Sequence, residues 1–484
     1  MNLRSNAATP PLPSGGKSGP GAAKSSSLRP LKWVASFAVL ALIAYAAFAL
    51  VHPERTPEVI GNVVENITGA NPAPVELRRP PVRPLSAMAL LGQQIFNDPS
   101  LSASGKQSCA SCHSAAHAYG PPNDLSVQIG GPHMASVGYR PVPSLTYLYR
   151  QAPFSIGPDA GDADGAAPVS LDQLASAAKG VQRAVKTAGV VPAAPAIVPQ
   201  GGLFWDGRAS TLQDQAISPL TNPVEMANAT NEDVARKLLQ TKYLGQFVKL
   251  FGQSILNEPA LLLAEAMFAV GRYQIEDPSF HQFTSKYDYW LEGKAHLTRA
   301  ELHGLQLFND PDKANCAGCH LSKPSSDHLP PLFTDTQYEA LGVPRNMNLP
   351  QNKDPKFYDM GVCGPFRDDI KDQTQFCGMF LTPTLRNAAT RHVFFHNGVY
   401  HDLKQVMDFY NLRNTNPEKI YPRDASGKVE KYDDLPAQYH ANIDVADAPF
   451  DRKFGDKPAM TEDEINDIIA FMKTLDDGYR VSGS

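Results

Sequence analysis

The sequence predicts a mostly α-helical chain in which one structural unit occurs twice, preceded by one membrane-spanning segment. Three observations lead to this fold class. Apolar residues recur at helical spacing in several segments while strand signals are few. Two short stretches of the sequence repeat each other, and an uncharged apolar run near the N-terminus is long enough to cross a bilayer.

The N-terminal residues predict an exported chain. Residues 1–32 contain basic but no acidic side chains and are rich in Ser, Gly and Pro, which is typical of a disordered cytoplasmic tail. Residues 33–51 carry no charge and predict a transmembrane anchor, and the positive charges before them favour export of everything that follows. A cleaved signal segment is the alternative interpretation of the same residues.

The composition allows real cores and gives no sign of a nucleic-acid partner, because 42% of residues are hydrophobic and the net charge is −5. Residues 52–80 are rich in proline and predict a stalk. Residues 157–202 are rich in Ala, Pro and Gly and predict a surface insertion.

A repeat divides the exported part into two domains, residues 81–290 and residues 291–484. Residues 91–99 read LGQQIFNDP, and residues 303–311 read HGLQLFNDP. In each copy an apolar helical stretch ends at Asn-Asp-Pro, and a Cys-x-x-Cys-His motif follows. One duplicated unit of about 200 residues is the simplest account.

The two Cys-x-x-Cys-His motifs predict covalent attachment of two haem c groups. They consist of Cys109, Cys112 and His113 in the first copy and Cys316, Cys319 and His320 in the second. Two thiols can add to the vinyl groups of a haem while the adjacent imidazole binds the iron, so the histidines are the expected proximal ligands. Zinc binding and thiol redox chemistry are the alternatives, but neither needs a histidine directly after the second cysteine.

The remaining cysteines, Cys363 and Cys377, lie close together without a neighbouring histidine. In an oxidising compartment this spacing favours a structural disulfide that closes a short loop. By the loop-entropy model such a bond stabilises the folded chain by roughly 3 kcal/mol.

Between the haem motifs, the stretch Trp205-Asp206-Gly207-Arg208 is followed by Gln215 and Glu225. Alone, a tryptophan and a glutamate in such a loop could be ordinary packing and a surface carboxylate. In this context the stretch resembles the bacterial dihaem cytochrome c peroxidase family, including its MauG-like branch. The resemblance runs from about residue 84 to residue 475 and includes Thr382-Pro383-Thr384-Leu385-Arg386-Asn387, His396-Asn397-Gly398 and Asp408-Phe409-Tyr410-Asn411.

The resemblance implies two cytochrome c-like haem domains in tandem, of which the first reacts with hydrogen peroxide and the second transfers electrons. Glu225 would act as general acid–base on the open side of the first haem, where a carboxyl group with a raised pKa can move the peroxide proton. Gln215 would orient peroxide or water, and Pro219 would wall the pocket. Trp205 would lie between the two haems and pass electrons.

The second haem decides between the branches of the family. Conventional members carry a methionine ligand fourteen residues after the histidine that corresponds to His396, whereas this sequence has Tyr410 there, as MauG-like members do. A thioether favours reduced iron and a phenolate favours oxidised iron. The resemblance therefore implies MauG-like, high-valent iron chemistry with a His/Tyr-ligated second haem. Met407, one helical turn earlier, is the alternative ligand, in which case Tyr410 is a core aromatic.

Two other functions stay open at this point. One is a conventional cytochrome c peroxidase that reduces peroxide with electrons from a small periplasmic redox protein. The other is a membrane-tethered dihaem electron carrier without catalysis, which needs no acid–base group such as Glu225. The expected partners are hydrogen peroxide, a redox protein or a protein substrate, and the bacterial inner membrane, on whose periplasmic side the chain is expected.

Departures from the family pattern make calcium doubtful, although possible. Family members often have Arg-Asn-x-Pro where this sequence has Arg140-Pro141-Val142-Pro143, and Thr-x-Pro where it has Arg391-His392-Val393. An asparagine oxygen that helps to bind calcium is thereby lost. His133 falls near the place of a displaceable haem ligand in conventional members, but the residues around it differ.

Overall fold

The computed structural model describes residues 65–158 and 197–481, together with Gly61. The expected tail, residues 1–32, and the expected membrane segment, residues 33–51, lie outside the described residues, as does most of the expected insertion. Within the described ranges, none of the helices combines the length and the apolar character needed to cross a bilayer.

The described chain is mostly helical with long irregular connections, as the sequence predicts. The α-helices are α1 (Ala87–Phe96), α2 (Cys109–Cys112), α3 (Leu212–Thr221), α4 (Asn231–Leu238), α5 (Leu244–Phe251), α6 (Pro259–Glu276), α7 (Lys286–Leu291), α8 (Arg299–Asn309), α9 (Leu403–Leu412) and α10 (Glu462–Lys473). The strands are β1 (Ile129–Gly130), β2 (Ser136–Val137), β3 (Ser155–Pro158), β4 (Ile197–Gln200), β5 (Tyr338–Glu339) and β6 (Phe380–Leu381). Consecutive strands pair in antiparallel fashion as β1–β2, β3–β4 and β5–β6.

Two large buried cores follow each other along the chain. The first collects apolar side chains between Leu91 and Phe280. The second collects those between Tyr287 and Leu475. The change from one core to the other falls just before the boundary expected at residue 290, because α7 buries its aromatic side chains in the second core. The first half of the protein is therefore residues 86–280, and the second half begins at Tyr287.

The repeated stretches build the two cores in the same way. α1 crosses α6 at Gly92, where an added Cβ would lie 1.9 Å from the carbonyl oxygen of Ala269. α8 crosses α10 at Gly304, where an added Cβ would lie 2.0 Å from the carbonyl oxygen of Asp467. Only glycine permits such an approach, so the glycine of each repeated stretch brings two helices together at backbone distance.

The sequence predicts a stalk at residues 52–80, and for residues 65–80, which the structure describes, this prediction is wrong. Residues 65–80 lie along the second half, where Leu77 is buried in the core. The backbone N–H of Val75 donates to the carbonyl of Leu291 at 2.9 Å, and the indole N–H of Trp290 donates to the carbonyl of Gly69 at 2.9 Å. Although the segment is rich in proline, it packs against the second half, because its apolar side chains are buried there and its backbone groups form hydrogen bonds there.

Cys363 and Cys377 form the disulfide expected from the sequence, with Cα atoms 5.0 Å apart. Both are buried in a small apolar cluster with Tyr338 of the second half. Phe154 and Ile156 of the first half pack against this cluster. The disulfide therefore stabilises a part of the second half on which the first half rests.

Candidate active site

The first Cys-x-x-Cys-His motif borders a cavity of about 130 Å³, called the first cavity. Cys109 and Cys112 begin and end α2, and His113 follows directly. The Nδ1–H group of His113 donates to the carbonyl of Tyr119 at 3.0 Å, which leaves Nε2 as the ligand atom. Burial lowers the pKa of His113 to about 4, so the imidazole is neutral and able to coordinate.

The second motif borders a larger cavity of about 550 Å³, called the second cavity. The Nδ1–H group of His320 donates to the carbonyl of Phe333 at 2.9 Å, which repeats the arrangement of the first motif. Burial also lowers the pKa of His320 to about 4. With Cys316 and Cys319 on the same wall, each copy presents two thiols and one neutral imidazole to its cavity.

The thiols of the two motifs are not joined in disulfides. Burial raises the pKa of Cys109 and Cys316 to about 12 and that of Cys112 to about 11, so these thiols are protonated. A structural zinc site needs four ligands, and no group of three or more His, Cys, Asp or Glu in the described part of the chain is arranged to hold a metal ion. Two thiols beside one imidazole fit thioether attachment of haem c instead.

The side chains expected to act on peroxide share the first cavity. Gln215 and Pro219 face it from α3, and Glu225 faces it from the turn that follows this helix. The amide of Asn222 donates to Glu225 Oε1 at 2.9 Å. Burial raises the pKa of Glu225, and the positive charge of Arg208 opposes this rise only in part. A carboxyl group with a raised pKa is suited to proton transfer closer to neutral pH.

Trp205 lines both cavities. Its indole N–H donates to the carbonyl of Pro141 at 3.0 Å in the first half. Its own carbonyl accepts from the N–H of Leu381 at 3.0 Å in the second half. Trp205 is therefore tied to the first half through its indole N–H and to the second half through its backbone carbonyl.

Comparisons with known proteins agree with this geometry. Residues 86–296 match the family model described as di-haem cytochrome c peroxidase. The chain is 30% identical over 401 residues to methylamine utilization protein MauG of Paracoccus denitrificans, which covers 81% of this chain and 89% of that protein. The chain belongs to the dihaem cytochrome c peroxidase family.

Further relatives are peroxidases. The crystal structure of the dihaem peroxidase BthA from Burkholderia thailandensis matches with a TM-score of 0.69 and 32% identity, over 84% of this chain and 89% of that one. A cytochrome c551 peroxidase of Nitrosomonas europaea is 27% identical over 359 residues, which is 72% of this chain and 81% of that protein. The family is MauG-like, carries two covalently bound haem c groups and has peroxidase-type oxidoreductase activity.

In this dihaem peroxidase the turn that carries Trp205 also occurs twice. Phe204 and Phe395 adopt the left-handed conformation with φ of 67° and 63°, and Gly207 and Gly398 follow at 70° and 63°. One antiparallel bridge closes each turn, and a ten-residue helix follows each at the same distance, α3 in the first half and α9 in the second. This second copy of the turn is not apparent from the sequence, because few of its residues are identical; the matching glycines are the available signal.

The same face of these two helices lines the two cavities. Aligned by the turns, the lining residues correspond as Gln215 with Val406, Ala216 with Met407, and Pro219 with Tyr410. Proline offers no donor or ligand atom, whereas tyrosine offers a phenol oxygen. At two of these positions only the second half offers a ligand atom, the phenol oxygen of Tyr410 in place of Pro219 and the thioether of Met407 in place of Ala216.

Both ligand candidates for the second iron face the second cavity. Tyr410 stacks on Phe450 with ring centroids 5.3 Å apart, and burial raises its pKa. Met407 is buried and lines the same cavity. His396 lies there too, with Nε2 3.3 Å from a carboxylate oxygen of Asp434.

A cluster of buried charges lies beside Trp205, and the sequence indicated only part of it. Arg140 donates to Asp206 Oδ2 at 2.8 Å and to the two carboxylate oxygens of Asp359 at 2.7 Å each. Arg208 donates to both oxygens of Asp206 at 2.9 Å. The Trp-Asp-Gly-Arg stretch signalled Asp206 and Arg208, whereas nothing near Asp359 in the sequence indicates its partner in the first half.

The donors at the expected calcium position do not fit calcium. Pro141 has no side-chain oxygen, and both Pro141 and Val393 lie against Gly398. The carbonyl of His392 accepts from His401 Nδ1 at 3.0 Å, so this oxygen already has a partner. Calcium prefers several oxygen ligands, and the side chains here supply none.

His133 is exposed in the turn between β1 and β2. It is not among the residues that line the first cavity. Its position therefore gives no support to a role as a displaceable ligand of the first haem.

Pro219→Tyr tests the correspondence between the two helices. The phenol would enter the first cavity, as that of Tyr410 faces the matching place in the second cavity. We expect the rate of reaction with hydrogen peroxide, measured by stopped-flow absorption, to fall by at least about tenfold, or about 1.4 kcal/mol of barrier. Pro219→Ala is the control and should react much like the parent. An unchanged rate in Pro219→Tyr would refute the correspondence.

Proposed function

We propose that this dihaem peroxidase performs MauG-like chemistry, oxidising a protein side chain with equivalents taken from hydrogen peroxide. The observation that carries the proposal is that Tyr410 faces the second cavity from the helix position that Pro219 has in the first. In this proposal His320 and Tyr410 would hold the second haem iron, and His113 would hold the first. A phenolate ligand stabilises oxidised iron, so the bound haems would supply high-valent iron chemistry.

Glu225 moves the proton in the proposed reaction. Its carboxylate would take a proton from one oxygen of the peroxide and return it to the other, which leaves as water. When bound, the two haems together would supply the two electrons that cleavage of the O–O bond consumes. Gln215 can hydrogen-bond the peroxide and orient it, and Pro219 brings no ligand atom into the first cavity. The hydrogen bond from Asn222 keeps the Glu225 carboxyl group in place.

Trp205 is proposed to pass electrons between the haems. The support for this role is that its indole lines both cavities and is fixed through its N–H group to Pro141. An aromatic ring fixed between two redox centres shortens each electron-transfer step. A rigid attachment also keeps these distances constant.

The alternative is conventional peroxidase chemistry, with a small periplasmic redox protein as the electron donor. Met407 favours it, because this residue is buried in the second cavity and its thioether would stabilise reduced iron. In that case the first haem reacts only after the second has been reduced. The non-catalytic electron carrier is set aside, because the family has peroxidase activity.

Tyr410→Met and Met407→Leu separate these two functions. The fully oxidised protein is mixed with one equivalent of hydrogen peroxide and followed by rapid-scan absorption. We expect the parent and Met407→Leu to form a long-lived oxidised species without prior reduction, and Tyr410→Met to lose it. If Tyr410→Met behaves like the parent while Met407→Leu does not, Met407 is the ligand and the MauG-like proposal fails.

Glu225→Gln tests the proton transfer. Removing a general acid–base group lowers the rate of the peroxide reaction by about 10²–10⁴-fold. Because burial raises the pKa of Glu225 and the carboxylate is the active form, the parent rate should fall as the pH drops through a value above the ordinary 4.5. This acid limb should disappear in Glu225→Gln. The exposed Glu258→Gln serves as control, and an acid limb retained in Glu225→Gln would assign the proton to another group.

We also propose that the protein lies on the periplasmic side of the bacterial inner membrane, attached by residues 33–51. Support comes from the uncharged run, from the basic residues before it, and from the disulfide between Cys363 and Cys377, a bond typical of oxidising compartments. Protease added to spheroplasts should digest the protein, and a high-salt wash should leave it on the membrane. Recovery in the soluble periplasmic fraction would indicate cleavage of the segment instead.

A further inference from the structure

A third cavity, of about 90 Å³, lies at the junction of the two halves. Its first-half wall consists of His117 and residues 121–124, and its second-half wall consists of residues 390–392. It shares no lining residue with the first or the second cavity. It is therefore a separate site, which the proposed peroxide chemistry does not use.

Arg391 brings an unsatisfied charge to this third cavity. Two of its guanidinium nitrogens, Nε and Nη2, are buried and have no hydrogen-bond partner. The carboxylate of Asp476 acts on this charge, yet its Oδ1 atom is also buried without a partner. Leaving a buried donor without a partner destabilises the folded state, and the cost is larger for a charged group. The site therefore favours a ligand that accepts hydrogen bonds and carries negative charge.

The shape of the guanidinium narrows the class of ligand. Its planar fork of N–H groups matches two oxygens of one carboxylate or phosphate. His117 lies on the opposite wall, where its Nδ1 pairs with Ser114 Oγ at 3.0 Å. When the serine hydroxyl donates to Nδ1, the imidazole proton lies on Nε2, which can then donate to a ligand. The exposed carboxylate of Asp124 at the rim repels large polyanions. The small volume likewise allows only a small ion.

We propose that Arg391, together with His117 and His392, binds a small oxyanion that bridges the two halves of the protein. The ion completes the hydrogen bonds of the guanidinium and connects the loop after the first haem motif to the segment that leads into the second cavity. It stabilises the contact between the halves without touching either iron. This inference does not depend on which branch of peroxidase chemistry the protein performs.

The test uses the full-length protein with both haems bound and inorganic phosphate as the probe. Thermal unfolding is followed by circular dichroism in sodium phosphate and in sodium chloride of equal ionic strength, which separates binding from screening. A ligand that binds the folded state raises the midpoint in a saturable way. We expect saturable stabilisation by phosphate, with an affinity at least tenfold weaker in Arg391→Gln.

Arg236→Gln is the matched control, because it removes the same charge from an exposed position on α4. It should respond to phosphate like the parent. A parent that responds equally to phosphate and chloride overturns the proposal, and so does an Arg391→Gln variant that responds like the parent. The haem absorption spectra should be the same in all variants, which excludes an effect through the irons.

A direct ion pair between Arg391 and Asp476 in solution is the competing explanation. It predicts no response to phosphate in the parent and destabilisation by Arg391→Gln and Asp476→Asn that is strongly non-additive, and this result would overturn the proposal. If Arg391→Gln does not fold, the double variant His117→Ala with His392→Ala takes its place. Phosphate affinity at least tenfold weaker in that variant supports the site, and an unchanged affinity refutes it.

Discussion

The relation between the two haem sites depends on a buried ion bridge between the halves, with Arg140 at its centre. Its guanidinium binds Asp206 of the first half and Asp359 of the second, and it lies 4.6 Å from the centre of the Phe366 ring. Removing charges from water costs several kcal/mol per ion unless they are paired and hydrogen-bonded, so the bridge is satisfied only when both halves meet. Trp205 directly precedes Asp206, and its place between the cavities follows from this bridge.

Features that depend on neighbours in sequence could be predicted from the sequence. The cysteine spacing indicated both haem motifs and the disulfide, because the chemistry of each is encoded within a few residues. The start of the last helix was equally local: Thr461 caps α10, with its hydroxyl and the Glu464 carboxylate exchanging hydrogen bonds with the backbone. Glu225, Gln215 and Pro219 came from a family resemblance, and the structure brings all three to one cavity.

Features that depend on contacts between distant segments could not be predicted. Asp359 meets Arg140, and the segment around Leu77 packs on the second core, although no local pattern links these partners. The proline content suggested a stalk, because composition indicates how an isolated segment behaves. It does not indicate whether the segment packs against another part of the protein. The second copy of the Trp205 turn was hidden for a different reason, since a backbone conformation was retained while most side chains changed.

The correspondence of Pro219 and Tyr410 has a consequence for the origin of such a chain. Duplication of an ancestral domain yields two copies that present the same helix face to the same kind of cavity. Both copies therefore have the same reactivity at first. A single codon on that face can then make them unequal, because it lies away from Gly92 and Gly304, where the helices of each copy cross. Folding and reactivity depend on different positions, so the two copies can acquire different functions while their fold stays the same.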